Sequence, residues 1–420
     1  MKSTVLLALS LATAGSALPH KQQQKSINST TPIGSEAFKL IQVTERPYWL
    51  INHMVDSPTK TDLSQCAANI AHFSTSHWSI GHRGGGPLQF PEHSLESNIA
   101  GARMGAGILE CDVAFTSDRE LVCRHSHCDL HTTTNIVTIP ELNAKCQVPF
   151  TPANGSTPAT AKCCTQDITL AEFKSLCAKM DGYNASATNP ADYLLGTPRW
   201  RTDLFSVCGT PLTLKEHIAM VQAHGLKHTP ELKTPDLGMP WGNFTQQEFA
   251  HKMLQTYRDA GVHPADVFPQ SFHYPDIQFW LANATDFAAQ LVYLDSNGET
   301  SATFPNAVKL LDQYAADGVP IVGPPLPYLV TAKDGKIVPS DYAIRAKELG
   351  LQIVTWSLER SGFLSDGSHG GYYYEYAADA INHEGDALEL LHVLHKDIGV
   401  IGVFSDWTGT TTFYANCYGL

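Results

Sequence analysis

Cations are scarce in this 420-residue chain: 28 Lys and Arg stand against 41 Asp and Glu, a net charge of −13. An acidic surface repels polyanions, which argues against a nucleic-acid partner. After the first 17 residues no apolar run approaches the roughly 20 residues that a membrane-spanning helix needs, so stable membrane insertion is not expected. Cys-x-x-Cys is absent, and no Cys/His spacing resembles a structural zinc site. Charged residues make up only 16% of the chain against 43% hydrophobic, which excludes a disordered polymer and leaves ample material for a buried core.

What is present points to the secretory route. Residues 1–17 carry a Lys, an apolar run and a small-residue ending at Ala17, and read as a signal peptide. Residues 18–40 read as a flexible lead or propeptide, and 41–420 as a single domain. Ten cysteines, an even number, fit disulfides in an oxidising compartment. Asn-x-Ser/Thr sequons at Asn28, Asn154, Asn184, Asn243 and Asn283 predict N-glycosylation and a secreted, extracellular protein.

The chain repeats one unit: an amphipathic stretch, a glycine, then a short β-branched run that ends in polar residues. The runs fall at 78–82, 108–113, 226–233, 267–272, 291–295, 321–325, 351–357 and 400–406. Thr169, Thr213 and Thr245 are each followed three residues later by Glu, the capping-box sign of a helix start. Strands alternating with helices predict a parallel sheet, and eight units predict a TIM (β/α)8 barrel; a doubly wound open sheet is the alternative. The repeat is broken at about 128–212, after the second strand and its hairpin. The cysteines at 146, 163, 164 and 177 cluster there, which predicts a disulfide-stapled insertion on the top face of the barrel.

Reacting groups of such a barrel stand at the C-terminal ends of its strands. At the first end, His82-Arg83-Gly84 offers an acid/base, a bidentate cation and free backbone amides, as an oxyanion requires. At the second, Glu110 and Asp112 are two apart and share the inward face. Two buried carboxylates repel unless a cation lies between them, and hard oxygen ligands select Ca²⁺ or Mg²⁺. A hairpin then returns His125 to the same mouth, with His127 as its neighbour; a second imidazole makes an acid/base pair possible. Glu231 and Lys233 again share one inward face, adding a third carboxylate and a cation. Further along, Phe272 and Trp356 either wall the pocket or pack in the core, the tyrosines of 372–376 either hold a choline group by cation–π contact or lie on a surface loop, and Asp406 reads as a cap to the last strand.

With these residues in place the chain resembles the glycerophosphodiester phosphodiesterase family, in particular its periplasmic or secreted branch. The resemblance rests on His82-Arg83-Gly84, Pro91-Glu92-His93-Ser94, Glu110-Cys111-Asp112-Val113, His125 and Glu231-Leu232-Lys233. It implies a metal-dependent hydrolase that splits a small glycerophosphodiester into glycerol 3-phosphate and an alcohol. It also implies His82 and His125 as the acid/base pair, Glu110, Asp112 and Glu231 as metal ligands, Arg83 and Lys233 as the phosphate clamp, and Glu92 as a substrate contact or support. A sphingomyelinase D-like lyase or a phosphatidylinositol-type phospholipase on the same barrel is the alternative. The loops offer no evident apolar platform for a bilayer, which favours the first reading.

Overall fold

The computed structural model describes residues 40–205 and 208–420. The expected signal peptide, the expected lead up to residue 39 and the Asn28 sequon lie outside the described residues. In chain order the strands are β1 (Ser76–Gly81), β2 (Ala106–Phe115), β3 (Leu121–Cys123), β4 (Val148–Thr151), β5 (Thr160–Lys162), β6 (Lys227–Leu232) and β7 (Gln270–Ser271). They continue with β8 (Val292–Tyr293), β9 (Ile321–Val322), β10 (Val330–Lys333), β11 (Lys336–Pro339), β12 (Gln352–Leu358) and β13 (Gly402–Ser405).

The order β1-β13-β12-β9-β8-β7-β6-β2, with β2 pairing back onto β1, closes an eight-stranded ring. Every pairing in that ring is parallel. Each of the eight runs anticipated from the repeat lies on one of these strands, so the chain is a TIM barrel. β3 folds back antiparallel on the top of β2, pairing Val113 with Cys123, and forms the expected hairpin.

The helices between strands start where the sequence signals them. Thr169, Thr213 and Thr245 each accept a bond from the backbone N–H three residues on, and the Glu at that position bonds back to the cap. The last turns before β12 and β13 end at Gly350 and Gly399, whose φ of +72° and +85° suits a residue without Cβ.

Apolar side chains fill four spaces, the smallest around Leu109, Val221 and Leu226. Ile80, Ile108, Val292, Leu294, Ile321, Val354 and Phe404 plug the barrel interior. A larger layer including Leu254, Trp280, Leu311 and Leu391 packs strands against helices. The insertion has a core of its own, built on Leu130, Ile136, Leu142, Phe173 and Tyr193, which meets the barrel through Ala114 and Val122. It is stapled by Cys128–Cys164, Cys146–Cys163 and Cys177–Cys208. Cys111 points away from the barrel interior and bonds Cys123 across the hairpin. Cys66, in a helix preceding the barrel (Pro58–Asn69), bonds Cys417 in the last helix (Gly409–Tyr418).

The Cys66–Cys417 bridge closes a loop spanning 351 positions, so it restricts the unfolded chain strongly. Replacing both cysteines by Ser is expected to cost about 2–4 kcal/mol of stability, read as a lowered midpoint in urea unfolding. An unchanged midpoint would mean that the terminal helices are held by packing alone.

Candidate active site

One rule of side-chain direction assembles the site. Successive residues of a strand face opposite ways, so each interior apolar residue is followed two positions later by one that faces the barrel mouth. Ile80 is followed by His82, Ile108 by Glu110 and then Asp112, and Phe404 by Asp406. On β6, Glu231 and Lys233 follow Thr229, and near β7, Gln270 and Phe272 follow Phe268. Parallel register sets Asp112 beside Glu231 and Glu231 beside Gln270.

Glu110, Asp112 and Glu231 are all buried, and an oxygen of each lies within 4.8 Å of the other two. Glu110 accepts from the Arg83 backbone N–H at 2.8 Å and from Gln270 Nε2 at 2.7 Å. Burial, then the charges of Asp112 and Glu231, hold the Glu110 carboxyl well above the ordinary range. Burial pushes Glu231 up to about 8, although Lys233 Nζ lies 2.6 Å from its Oε1. Asp112 accepts from His93 Nε2 at 2.9 Å through Oδ2, while its buried Oδ1 has no partner. Three converging carboxylates, two of them reluctant to ionise and the third with an orphaned oxygen, fit a hard divalent cation. A second group of suitable spacing, Cys111, Cys123 and His217, is not available as a ligand set because the two cysteines are bonded to each other.

Beside this trio lies a chain of opposite charges. His82 Nδ1 donates to Asp406 at 2.6 Å, and its Nε2 lies 4.0 Å from Glu110. Arg360 donates to Asp406 and to Glu92, each at 2.8 Å, and Arg83 donates to Glu92 at 2.9 Å. Burial pushes His82 down to about 4 against the pull of Asp406, so its imidazole is neutral near pH 7. Burial would raise Asp406 and Glu92, but Arg360 acting on the first, and Arg83 with Arg360 on the second, hold both below the ordinary range. Arg83 has φ +49°, and the turn it makes aims its N–H at Glu110 while its carbonyl accepts from His93 N and Ser97 Oγ.

The two candidate histidines part company. His125 follows β3 and stays partly exposed, held well below its ordinary pKa by burial and by the charges of Arg83 and Lys233. His127 is fully buried with neither ring nitrogen partnered, edge-on to Phe115 and near Phe249. It belongs to the core, so His125 is the one that reaches the mouth. Phe272 and Trp356 meet edge to face at 5.5 Å above the interior plug, with Lys233 Nζ 5.7 Å from the Phe272 ring and Tyr373 5.9 Å from Trp356. They therefore join the core to the pocket wall. The 372–376 tyrosines sit on the helical turn Gly371–Ala380, with Tyr374 buried.

Two residues were misjudged or missed. Asp406 is a partner of His82 rather than merely a strand cap. Arg360, just past β12, went unnoticed, although its place near a strand end was a usable signal. The reading of the loops as lacking an apolar platform is also corrected. Leu204 and Phe205 of the insertion are 67% and 52% exposed, and Phe205 with Trp49, Phe90 and Trp200 lines an apolar groove of about 870 Å³. Among the described sequons, Asn154, Asn243 and Asn283 are exposed and Asn184 half-buried.

The chain is similar to several known proteins. The model of the glycerophosphoryl diester phosphodiesterase family matches residues 82–410. A protein named "Extracellular protein" in Arthroderma benhamiae is 43% identical over 245 residues, covering 57% of this chain and 100% of that protein. A crystal structure described as a glycerophosphoryl diester phosphodiesterase of Silicibacter pomeroyi covers 83% of this chain and 95% of its own, with a TM-score of 0.52 at 19% identity; this likeness shows the shared fold. A phosphodiesterase of Oleispira antarctica, solved with its product sn-glycerol-3-phosphate, covers 80% and 96% with a TM-score of 0.47 at 18% identity.

Removing Arg360 would take one cation from each of two buried carboxylates, leaving Glu92 with Arg83 and Asp406 with His82. Arg360→Leu is expected to cost about 3–5 kcal/mol, measured by urea unfolding. A loss within the noise of that measurement would mean that water already solvates Glu92 and Asp406.

Proposed function

The chain belongs to the glycerophosphoryl diester phosphodiesterase family and is a phosphoric diester hydrolase; on that premise we propose that it is a secreted, cation-dependent enzyme for deacylated glycerophosphodiesters. The products would be glycerol 3-phosphate and the head-group alcohol. The observation that carries this reading is the adjacency of the Glu110–Asp112–Glu231 trio to His82, whose Nε2 is turned toward it by the Nδ1 bond to Asp406.

Glu110, Asp112 and Glu231 would hold Ca²⁺ or Mg²⁺, and such an ion would polarise the phosphoryl oxygens and neutralise charge that develops on them. Arg83 and Lys233 flank the same space and clamp the diester, each tethered by a carboxylate, Glu92 and Glu231. Glu92 supports Arg83 rather than touching substrate. His82 at Nε2 and His125 form the acid/base pair. One imidazole takes the proton of the attacking hydroxyl as its oxygen bonds to phosphorus. The other delivers a proton to the departing alcohol oxygen as that P–O bond breaks. Attack by water gives glycerol 3-phosphate directly, whereas attack by the neighbouring glycerol hydroxyl gives a cyclic phosphate that a water then opens, with the imidazole roles reversed. Phe272 and Trp356 wall the pocket beside Lys233. The mature chain would be one domain from about residue 41, freed of a signal peptide at 1–17 and glycosylated at its sequons. Five disulfides and the extracellular relative support the secretory route.

Chelation is expected to abolish turnover, and Ca²⁺ or Mg²⁺ to restore it. In the same titration the ion should raise the melting temperature, equivalent to about 2.7 kcal/mol at a hundredfold excess over Kd, and Asp112→Asn should erase that shift. Full activity of the metal-stripped protein would refute the cation role.

His82→Ala and His125→Ala are each expected to slow turnover of a glycerophosphodiester by about 10² to 10⁴-fold. The double variant should cost far less than the product of the two, since both serve one proton cycle. By contrast, His127→Gln should leave the rate within an order of magnitude, and the reverse pattern would overturn the assignment. Equal kcat/KM on phosphatidylcholine vesicles and on a deacylated diester would favour the phospholipase alternative, for which the apolar groove would then be the acyl site.

A further inference from the structure

Arg201 is an unusual residue for a loop. It stands in the insertion, in the turn where its N–H bonds the Pro198 carbonyl, yet it is only 8% exposed. Its Nη1 lies 3.8 Å from Asp181 and its Nη2 lies 4.0 Å from Asp406, distances too long for good hydrogen bonds, and its Nε is buried without a partner. A guanidinium presents five donors in a rigid fork, and a buried donor left unmade is costly. Neighbours on both sides fix the residue in place: Trp200 Nε1 donates to the Arg360 carbonyl at 3.1 Å, and Thr202 N donates to the Leu88 carbonyl at 2.9 Å.

Arg201 also walls a cavity of about 530 Å³ within the insertion, together with Asn135, Lys179, Thr197, Thr202 and Asp203. We propose that this cavity is the head-group subsite, that it takes the polyhydroxylated alcohol of the diester, and that Arg201 is its specificity-determining donor. The inference rests on the phosphodiesterase reading above and names which alcohol that site prefers.

Three observations favour a polyol. The wall mixes donors and acceptors, namely an amide, hydroxyls, a carboxylate and the guanidinium, which suits hydroxyl groups that both give and accept. A second full anion is disfavoured, because Asp181 and Asp203 lie close to Arg201, and Lys179 already commits Nζ to the carbonyls of Thr132, Met180 and Gly182, each at 2.7 Å. A quaternary ammonium offers no hydrogen bond to this wall and would leave Arg201 Nε without a partner; the aromatic surface it needs is on the Phe272–Trp356 side instead. Arg201 Nη2 lies 4.0 Å from Asp406, the carboxylate that holds His82 Nδ1, so the cavity wall and the catalytic histidine share one partner.

The test compares kcat/KM for glycerophosphoinositol and glycerophosphocholine in the full-length secreted protein with its disulfides intact. The wild type is expected to prefer the inositol ester by about tenfold or more, as a site built to pair hydroxyls discriminates against a group that cannot pair. Arg201→Gln should lower that ratio roughly tenfold, mainly through KM of the inositol ester. Leu195→Trp, at a cavity-lining position 60% exposed to solvent, should block the cavity without touching Arg201 and lower the ratio likewise. A ratio unchanged in both variants would overturn the subsite, and so would an equal loss on both esters, which would make Arg201 only a support for Asp406. Failure of the wild type to hydrolyse either ester, or any other glycerophosphodiester, would instead bring down the phosphodiesterase reading and the subsite with it.

Discussion

Arg360 bridges Glu92 and Asp406 in the barrel mouth, and the rest of the site hangs from that bridge. Through Asp406 it settles which ring nitrogen of His82 carries a proton, and through Glu92 it settles where the Arg83 guanidinium lies. Its own carbonyl anchors Trp200 of the insertion. Buried ions recover their desolvation cost only with close, multiple partners. Once these charges are taken out of water, their mutual geometry has little freedom, which is what a proton-transferring pair requires.

Two groups of carboxylates a few ångströms apart are driven in opposite directions. Glu92 and Asp406 have guanidiniums against them and stay ionised, whereas Glu110 and Glu231 face each other and Asp112, and are held toward the protonated form. The first group is complete within the protein. The second has only Lys233 against it, on Glu231, and its buried, mutually repelling carboxylates fit a hard divalent cation. Separating such environments on one barrel rim lets a fixed support and a ligand-binding centre share a wall.

The insertion is more than a lid added to a finished barrel. It has an independent core and three disulfides, yet it sends Trp200, Arg201 and Thr202 across the strand ends to the loops that carry His82 and Arg360. Its tip also exposes Leu204 and Phe205, the latter stacked on Phe90 of the barrel at 4.7 Å. Variation in this element would therefore be felt at the catalytic centre, although none of its residues bears the motif.

Much of the architecture was legible in the chain because it is locally encoded. Alternation of side chains placed Glu110 with Asp112, and Glu231 with Lys233, and capping boxes marked the helix starts at Thr169, Thr213 and Thr245, since each signal spans only two or three residues. Other features had no local mark. The burial of His127 turned on its meeting Phe115 and Phe249, and the pairing of Asp406 with His82 depended on β13 closing against β1. Arg360 finds its partners 46 and 268 positions away, the Cys66–Cys417 bridge spans 351, and Arg201 gains its setting only when the insertion docks. Residue order thus decides what each strand end presents to the mouth, through geometry repeated every two residues. Barrel closure alone decides which of those groups become neighbours, because charge pairing and burial depend on distances that no short stretch of chain contains.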